Sequence, residues 1–507
     1  MSTSSRVIKN TSYLYIKMGI TIIVSLYSTR IVLASLGASD FGIFNVVGGA
    51  IAMLGFLNST LAHATQRFMS YAEGEGDLER KRSVFNVSVV LHLFIALVTV
   101  VLLLVAMFPL FNGAFNIETD RLLAAKVIYY SLIFSTVLTI INVPYDAVMN
   151  AHENMLYYSI IGVFESVLKL TVAFICAYSS RDKLILYGIL MACIPLITLS
   201  IMKVYCHHHY DECVIAPIRY WDKSMVQQIA DFFGWNFLTA ISSLLTAQGI
   251  GIVLNHFFGA VLNAAQGIAN QVNGALSNFS TNMMKALNPV ITKSAGSGNT
   301  SRMNIATIAG CKYSALLTML FAVPLSLEVD YILTLWLKEV PNWASVFVVL
   351  QLTQSIIIQM ASSASTAIYA QGRIKEYAII KSCVNIMPII LTWIAFRIGG
   401  GPVWLYIPMI SIWAIGGDIV IVHFAKVLCG MRVRDYIIKV LLPVVGTSLI
   451  MLSLGIVPVL MLKECFGRFL LTGLFTTIGM VVSGFLFAIS KEERDTIWGI
   501  LLSFFRR

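Results

Sequence analysis

Long apolar segments separated by short polar ones recur along the whole chain. About fourteen such segments occur, near residues 12–36, 41–66, 84–110, 122–147, 156–178, 184–204, 229–256, 263–290, 304–327, 343–369, 377–396, 402–426, 440–462 and 466–489. Each is long enough, as a helix rising about 1.5 Å per residue, to cross about 30 Å of hydrocarbon. The pattern therefore predicts an all-α, polytopic membrane protein with about 14 transmembrane helices.

The order of these spans repeats once within the chain. A shift of 222 or 219 residues aligns short motifs of the two halves: Gly37 with Gly259, Gly76 with Gly298, Ala151 with Ala370, and Tyr158 with Tyr377. Each copy holds six spans, an even number, so both copies start on the same side of the membrane. This predicts two six-helix bundles related as parallel repeats, an arrangement known among transporters, with the substrate site between them.

The repeat divides the chain into five predicted segments. They are an N-terminal six-helix bundle (1–205), a cytoplasmic linker (206–226), a C-terminal six-helix bundle (227–427), two extra transmembrane helices (428–490) and an amphipathic cytoplasmic tail (491–507). In the tail, apolar residues fall on one helix face, as in helices that lie along a membrane surface.

Composition and charge support a membrane location. Hydrophobic residues make up 58% of the chain and charged ones 12%, whereas soluble domains are about 25% charged. With both termini in the cytoplasm, cytoplasmic loops and tails hold 22 of the 35 Lys and Arg residues and outer loops hold 8. Because basic residues concentrate in cytoplasmic loops, the bias predicts a multi-pass membrane protein with cytoplasmic N- and C-termini. The net charge of +10 then indicates an anionic membrane surface rather than nucleic acid.

Metal and cofactor chemistry is not indicated. The stretch from Cys206 to Cys213 combines cysteine, histidine and carboxylate side chains, but it lies in the linker and has no second ligand cluster. The sequence has no glycine-rich stretch with the pattern of a phosphate-binding loop. We expect no metal and no cofactor, so transport would use an H⁺ or Na⁺ gradient or the free energy of the substrate.

Charges inside the apolar segments are mostly positive. The cations are Lys17, Arg30, Lys169, Lys285 and Lys312, and the acids at comparable depth are Glu165, Asp231 and Asp418. A charge at the bilayer centre costs about 2.5–3.5 kcal/mol on insertion scales, so it usually faces water or a partner. An interior with more cations than acids predicts a cavity for an anion, with phosphate as the expected one.

Each of these charges also has an explanation without function. Arg30 could extend its guanidinium to the outer surface, and Lys169 could be neutralised by Glu165 one turn earlier. That pair could instead open when an anion or proton arrives. Asp231 and Asp418 could carry a coupling ion or serve as structural counter-ions.

Polar side chains recur along one face of the eighth span. Asn263, Gln266, Asn270, Asn273, Ser277, Thr281 and Asn288 follow three- and four-residue steps, and Asn278 and Lys285 widen the face. The second span carries a smaller counterpart that ends at Gln66. Lipid cannot hydrogen-bond these amides, so they predict a hydrated cavity, although close helix packing is the alternative.

The first hairpin resembles that of a known family. The stretch from Arg30 to Phe44, RIVLASLGASDFGIF, leads to LAHATQRFMS at 61–70, and the whole pattern is similar to bacterial polysaccharide flippases of the Wzx type. These belong to the superfamily that also contains the multidrug and toxin extruders. The resemblance implies alternating access, with the first, second, seventh and eighth spans lining a cavity for undecaprenyl-diphosphate-linked oligosaccharide. It also implies a location in the bacterial inner membrane, with membrane lipids and other polysaccharide assembly proteins as partners.

These features together predict a flippase for surface polysaccharide synthesis. The candidate substrate-binding residues are Arg30, Lys169, Lys285, Asn270, Asn273, Asn278 and Gln66, and the candidate coupling or counter-ion residues are Glu165, Asp231 and Asp418. A cation-coupled multidrug exporter of the same fold is the alternative. A membrane glycosyltransferase, polymerase or ligase would need a sizeable outer loop with acid–base residues, and the outer loops here are short, so we expect no enzyme activity.

Overall fold

The structure is a computed structural model that describes residues 3–52, 54–114, 117–337 and 339–488. These residues are almost entirely helical and contain no strand, which confirms the all-α prediction. The predicted tail helix at 491–507 lies outside the described residues.

Fifteen helices carry the described part of the chain. They are α1 (Thr3–Ala52), α2 (Gly55–Glu75), α3 (Leu78–Pro109), α4 (Leu122–Ala151), α5 (Met155–Tyr178), α6 (Lys183–His209), α7 (Lys223–Phe258), α8 (Ala260–Gly296), α9 (Thr300–Leu327), α10 (Val329–Leu337), α11 (Ala344–Gln371), α12 (Lys375–Arg397), α13 (Pro402–Cys429), α14 (Val433–Met461) and α15 (Phe466–Leu486). The bounds of α13 and α14 include π-helical turns at Met409–Gly416 and Ile437–Leu441.

Twelve of the described helical segments are long and apolar enough to cross a membrane, and a bent pair, Ser39–Ile51 with Gly55–Glu75, makes up to 13. The eighth predicted span corresponds to α8, a helix of 37 residues. It is not among the apolar spans because amides interrupt it throughout. The helix order therefore agrees with the predicted spans, and α8 is the polar exception.

The backbone repeats its unusual conformations at the positions that the sequence repeat aligns. Positive φ angles occur in pairs: Gly37 at 79° and Gly259 at 78°, Gly76 at 76° and Gly298 at 71°, Glu153 at 56° and Gly372 at 78°. At Gly37 and Gly259 the ψ angles are 168° and −175°, a combination open almost only to glycine. The break at Gly37 divides α1 into two parts, and the break at Gly259 separates α7 from α8. Both copies of the repeat are therefore interrupted at the same position.

The described chain divides into two compact units. The N-terminal unit comprises Lys9–Phe233, and the C-terminal unit comprises Gly234–Arg507 with Met1–Ile8. In the N-terminal unit, α4 packs against α2, α3 and α6, and α5 packs against α6. In the C-terminal unit, α11 packs in the same way against α8, α9 and α13, and α12 packs against α13. The internal packing of one unit is thus repeated in the other.

Local sequence signals fix several helix starts. The side chain of Asp77 accepts hydrogen bonds from the backbone N–H groups of Glu79 and Arg80 at the start of α3, and Asp182 does the same at the start of α6. Such caps satisfy backbone donors that a helix leaves unpaired at its first turn. They place the α2–α3 and α5–α6 turns, where the predicted boundaries also fell.

The two extra helices α14 and α15 pack against each other and against α9. A buried ion pair joins them to the rest of the unit: Arg468 Nη2 lies 2.7 Å from Glu328 Oε2, with 9% and 0% of the two side chains exposed. Arg468 lies within the predicted span 466–489, but the sequence analysis did not count it among the charges inside the apolar segments. Its apolar neighbours did not reveal that a carboxylate 140 residues earlier would hold it inside the unit.

Candidate functional site

One face of α8 is exposed and polar over most of its length. The exposed residues include Asn263, Gly267, Asn270, Gln271, Gly274, Asn278 and Thr281, spaced three or four apart. The opposite face is packed, with Ala265, Ala269, Ser280 and Leu287 buried. No Asp or Glu occurs anywhere in α8. The predicted amide face therefore exists, and Asn270 and Asn278 lie on it.

Gln266 does not belong to that exposed face. It is buried, and the Tyr406 hydroxyl lies 2.9 Å from Gln266 Oε1 and 3.2 Å from Gln351 Oε1. Its amide nitrogen donates to Asn270 Oδ1 at 3.3 Å. The prediction that Gln266 faces water is wrong, because spacing alone cannot distinguish an exposed amide from one at the edge of the packed face. Gln266 instead orients Asn270 from behind.

Asn273 and Lys285 are half-buried on the same helix. The side-chain oxygen of Asn273 is inaccessible to solvent and has no hydrogen-bond partner among the described residues. Because buried polar atoms nearly always have a partner, this acceptor is suited to a water or ligand. Further along, Asn288 accepts a hydrogen bond from Thr366 at 3.1 Å, so the C-terminal end of the face is used in packing α8 on α11.

In the N-terminal unit, the predicted cations lie in different surroundings. Arg30 is exposed on α1. Lys17 is half-buried, with its ammonium 4.2 Å from the centre of the Tyr158 ring and its side chain against Gly162. A cation over an aromatic face is favourable, so Lys17 is accounted for by packing between α1 and α5. Gln66 is half-buried on α2.

Lys169 forms the ion pair that its spacing allowed. Its Nζ lies 2.7 Å from Glu165 Oε1, and 45% and 40% of the two side chains are exposed. The pair lies on one face of α5 and is neutral as a whole. This geometry favours the neutralising interpretation of Lys169, while its role in substrate binding stays a prediction, as does the convergence of Arg30, Lys169 and Lys285 on one pocket.

The two acids proposed to carry a coupling ion differ in their exposure to solvent. Asp231 is exposed on α7. Asp418 is buried in α13, and its Oδ2 has no hydrogen-bond partner among the described residues. Lys381 of α12 supplies the opposite charge that acts on Asp418. Lys381 lies within the predicted span 377–396, but the sequence analysis did not count it among the charges inside the apolar segments, so the Lys381–Asp418 pairing was missed.

Arg67 was also missed. It lies in α2, and its guanidinium carbon is 4.3 Å from the Phe68 ring, 4.9 Å from Tyr71 and 5.6 Å from Phe232. The aromatic residues beside it in the sequence Gln-Arg-Phe-Met-Ser-Tyr were the available signal. Three rings around one guanidinium hold the charge in a defined position within the N-terminal unit.

Three potential metal ligands meet at the end of the N-terminal unit. Atoms of Glu73, His152 and Glu212 lie within 4.8 Å of one another. However, His152 Nε2 is 2.6 Å from Glu212 Oε1 whereas Nδ1 is 3.5 Å from Glu73 Oε1, so the two carboxylates face different ring nitrogens. Lys81 also contacts Glu73, at 2.9 Å. The arrangement is a hydrogen bond between the ring and Glu212 and a longer ion-pair contact with Glu73, so both ring nitrogens already face carboxylates rather than a common metal position.

This cluster gives the N-terminal unit an acid-sensitive contact. Burial alone would raise the pKa of Glu212, but the hydrogen bond and charge of His152 outweigh it, so the pKa lies below its ordinary value of 4.5. The stabilisation is therefore complete above pH 4.5 and is lost as the pH falls through the lower folded-state pKa. We expect Glu212→Gln to lower the thermal unfolding midpoint of the detergent-purified protein at pH 7 and to flatten its decline below pH 4.5.

The matched control for that substitution is Asp211→Asn, which changes the exposed carboxylate next to it. Its midpoint should follow the wild type at every pH. If Glu212→Gln and the wild type lose stability in parallel between pH 5 and pH 3, Glu212 is not the group responsible.

Comparisons with known proteins identify the fold. No family model matches the sequence, and no curated protein matches it. Among solved structures, a multidrug resistance MATE family transporter of the MOP superfamily in an outward-facing conformation matches with a TM-score of 0.69 at 14% identity, over 84% of this chain and 95% of that one. A MATE protein in a bent conformation matches with a TM-score of 0.72 at 14% identity, over 85% and 96%.

A third match is a MOP superfamily transporter from Pyrococcus furiosus, whose reverse pocket polarity is described as suggesting a different function. It has a TM-score of 0.65 at 14% identity and covers 84% of this chain and 96% of that one. At this level of identity the likeness establishes architecture alone. The described chain, with its two similarly packed units, has the fold of the MATE transporters of the MOP superfamily.

Proposed function

We propose that this protein is a transporter that moves undecaprenyl-diphosphate-linked oligosaccharide across the bacterial inner membrane by alternating access. The fold supports membrane transport, and the polarity of the candidate site supports an anionic substrate. The diphosphate would bind cations, the sugars would bind amides, and the lipid tail would stay in the bilayer. In this proposal Arg30 and Lys285 contact the diphosphate, and Asn270, Asn273, Asn278 and Gln66 contact sugar.

The observation that carries the proposal is the charge of two helical segments. Residues 6–37 of α1 contain four basic residues and no carboxylate, and α8 contains two basic residues and no carboxylate. Within the second of these segments the exposed face presents amides. Such a surface offers hydrogen-bond donors to phosphate oxygens and to hydroxyl groups, and it lacks the carboxylates that would attract a cationic drug.

A cation-coupled multidrug exporter is the second candidate. One of the structures with this fold is described as a multidrug resistance transporter, and the buried Asp418 with its unpaired oxygen is a group to which H⁺ or Na⁺ could bind. The same acid would serve a flippase as its coupling residue. The two candidates therefore differ in the polarity of the substrate site rather than in the ion site.

The test uses purified protein in proteoliposomes loaded with the lipid-linked oligosaccharide, with an added lectin to report sugars that reach the outer leaflet. We expect Arg30→Ala/Lys285→Ala to lower the initial rate at least tenfold, since a charge-assisted hydrogen bond contributes about 1.5–3 kcal/mol. Arg30→Lys/Lys285→Arg should retain most of the rate. Arg373→Ala/Lys426→Ala, which removes two exposed cations outside α1 and α8, is the matched control and should transport as the wild type does.

A double variant that is folded and transports at the wild-type rate would overturn the diphosphate assignment. Resistance to cationic drugs, conferred by the wild type in a pump-deficient host without any lectin signal, would support the exporter instead.

A further inference from the structure

The segment between α6 and α7, residues 210–222, is fixed to the side of α3. The amide of Asn86 donates to the Val214 carbonyl at 2.8 Å and accepts from the Ala216 N–H at 2.8 Å. Arg82 donates to the Asp211 carbonyl at 3.1 Å, and its guanidinium lies 5.8 Å from the Tyr220 ring. The segment is therefore not a loose connection but has a defined position along α3.

The composition of α3 indicates that this position is at the membrane boundary. Arg82 is the last charged residue of α3, and residues 83–109 contain no Lys, Arg, Asp or Glu. Asn86 follows Arg82 by four residues, about 6 Å along the helix. The segment is thus held where the charged start of α3 gives way to its apolar length, at the level of lipid headgroups.

The segment exposes large apolar side chains at this level. Ile218 is 97% exposed, and Ile215, Trp221 and Val214 are also exposed, while Cys213 and Tyr220 are buried and anchor the segment. Exposed isoleucine is costly in water, and tryptophan is enriched at membrane interfaces. These side chains therefore fit the outer edge of the acyl chains.

A polar cleft of about 440 Å³ lies beside Trp221 and is lined by Arg80, Arg219, Ser83, Gln228 and three carboxylates. The carboxylates already have partners. Asp77 caps α3, Asp222 accepts from the Ser224 N–H at 2.8 Å, and Glu79 pairs with Arg82 at 2.9 Å. Arg80 is paired with Glu75.

Arg219 is the cation of the cleft that keeps its charge available. Its guanidinium lies 5.3 Å from the Tyr220 ring, and it forms no ion pair within the part of the chain that the structure describes. A guanidinium at the level of the headgroups can bind one lipid phosphate. The exposed isoleucine and tryptophan beside it can contact the acyl chains of the same lipid.

We propose that this cleft binds the phosphate of an anionic phospholipid through Arg219, with the acyl chains against Ile218 and Trp221. The site lies wholly within the N-terminal unit and does not depend on the transported substrate. It makes the connection between α6 and α7 a lipid-contacting element.

The test replaces Ile218 with the photoreactive p-benzoyl-phenylalanine and places the full-length protein in nanodiscs of equimolar phosphatidylglycerol and phosphatidylcholine. Illumination followed by intact-mass measurement should give a lipid adduct, at least threefold richer in phosphatidylglycerol. The same probe at Asp211, which is exposed but polar, should give at most a tenth of the adduct. Adding Arg219→Gln to the Ile218 probe should abolish the preference for phosphatidylglycerol and keep the total adduct.

Three results would overturn the proposal: a crosslink within the protein in place of a lipid adduct, equal adducts at positions 218 and 211, or an unchanged lipid preference with Arg219→Gln. Inorganic phosphate at 10-fold excess over lipid should leave the preference intact; its loss would identify a site for a free anion rather than a phospholipid. The probe occupies a fully exposed position, so we expect it to leave the fold intact. An unchanged unfolding midpoint of the labelled protein checks this.

Discussion

Arg468→Ala should destabilise the C-terminal unit by about 3–5 kcal/mol, because it leaves a buried carboxylate without its partner. Glu328 has no exposed side-chain surface. Its two oxygens accept hydrogen bonds from Arg468 Nε at 3.0 Å each, from Arg468 Nη2 at 2.7 Å, and from the Thr472 hydroxyl at 2.8 Å. Thr472 alone cannot replace three charge-assisted contacts. The loss should appear as an earlier transition when the protein in mixed micelles is titrated with sodium dodecyl sulfate.

Two variants separate the ion pair from the general effect of removing a side chain. Glu328→Met/Arg468→Met should cost less than half as much as Arg468→Ala, because no charge is then left buried. Lys439→Ala removes an exposed partner of Asp435, with 59% of the lysine side chain exposed and the charged atoms 3.8 Å apart. It should cost about 0.5 kcal/mol or less. Equal losses in Arg468→Ala and the double variant would contradict the buried-charge argument.

Gly310→Ala should destabilise the same unit by about 1–3 kcal/mol through overpacking, and Gly310→Val by more. Gly310 lies on α9 where α8 and α11 both approach it. A β-carbon there would overlap the Ser363 hydroxyl and the end of the Leu287 side chain. The helical preference of alanine over glycine, about 1 kcal/mol, would be outweighed by this overlap.

Gly274→Ala is the matched control, since Gly274 is also helical but has nothing within 4 Å of the added atom. It should leave stability unchanged or raise it by up to about 1 kcal/mol. The same detergent titration measures both variants. If the two substitutions shift the transition equally, close packing at Gly310 does not limit the stability of the unit.

The sequence was sufficient to predict the helices because membrane spans require long apolar runs, and those runs are visible without any structure. It also predicted the repeat: the alignment of Gly37 with Gly259 corresponds to a shared backbone break in both halves. The polar α8 was predicted as one of the long spans, and its three- and four-residue periodicity predicted its amide face. Apolar runs, glycine positions and residue spacing are local features of the chain, so the sequence alone is enough to predict their structural consequences.

Side-chain partnerships far apart in sequence were not predictable in the same way. Gln266 has the spacing of an exposed amide, yet Tyr406, 140 residues later, binds it inside the unit. Lys381 lies within a predicted span but was not counted among the charges inside it, although it faces Asp418. For Gln266, periodicity gives the side of a helix to within one residue position, and that uncertainty decides between an exposed side chain and one with a buried partner.

Because of the extra pair α14–α15, the two repeat-related helices α3 and α9 lie in different surroundings. On α3, Leu97, Val101 and Phe108 are exposed, as a helix solvated by acyl chains requires. On α9, buried positions include Lys312 and Ser314, because α8, α11, α14 and α15 enclose it. The added hairpin thus covers with protein a side of α9 that would otherwise meet acyl chains, as the exposed side chains of α3 do.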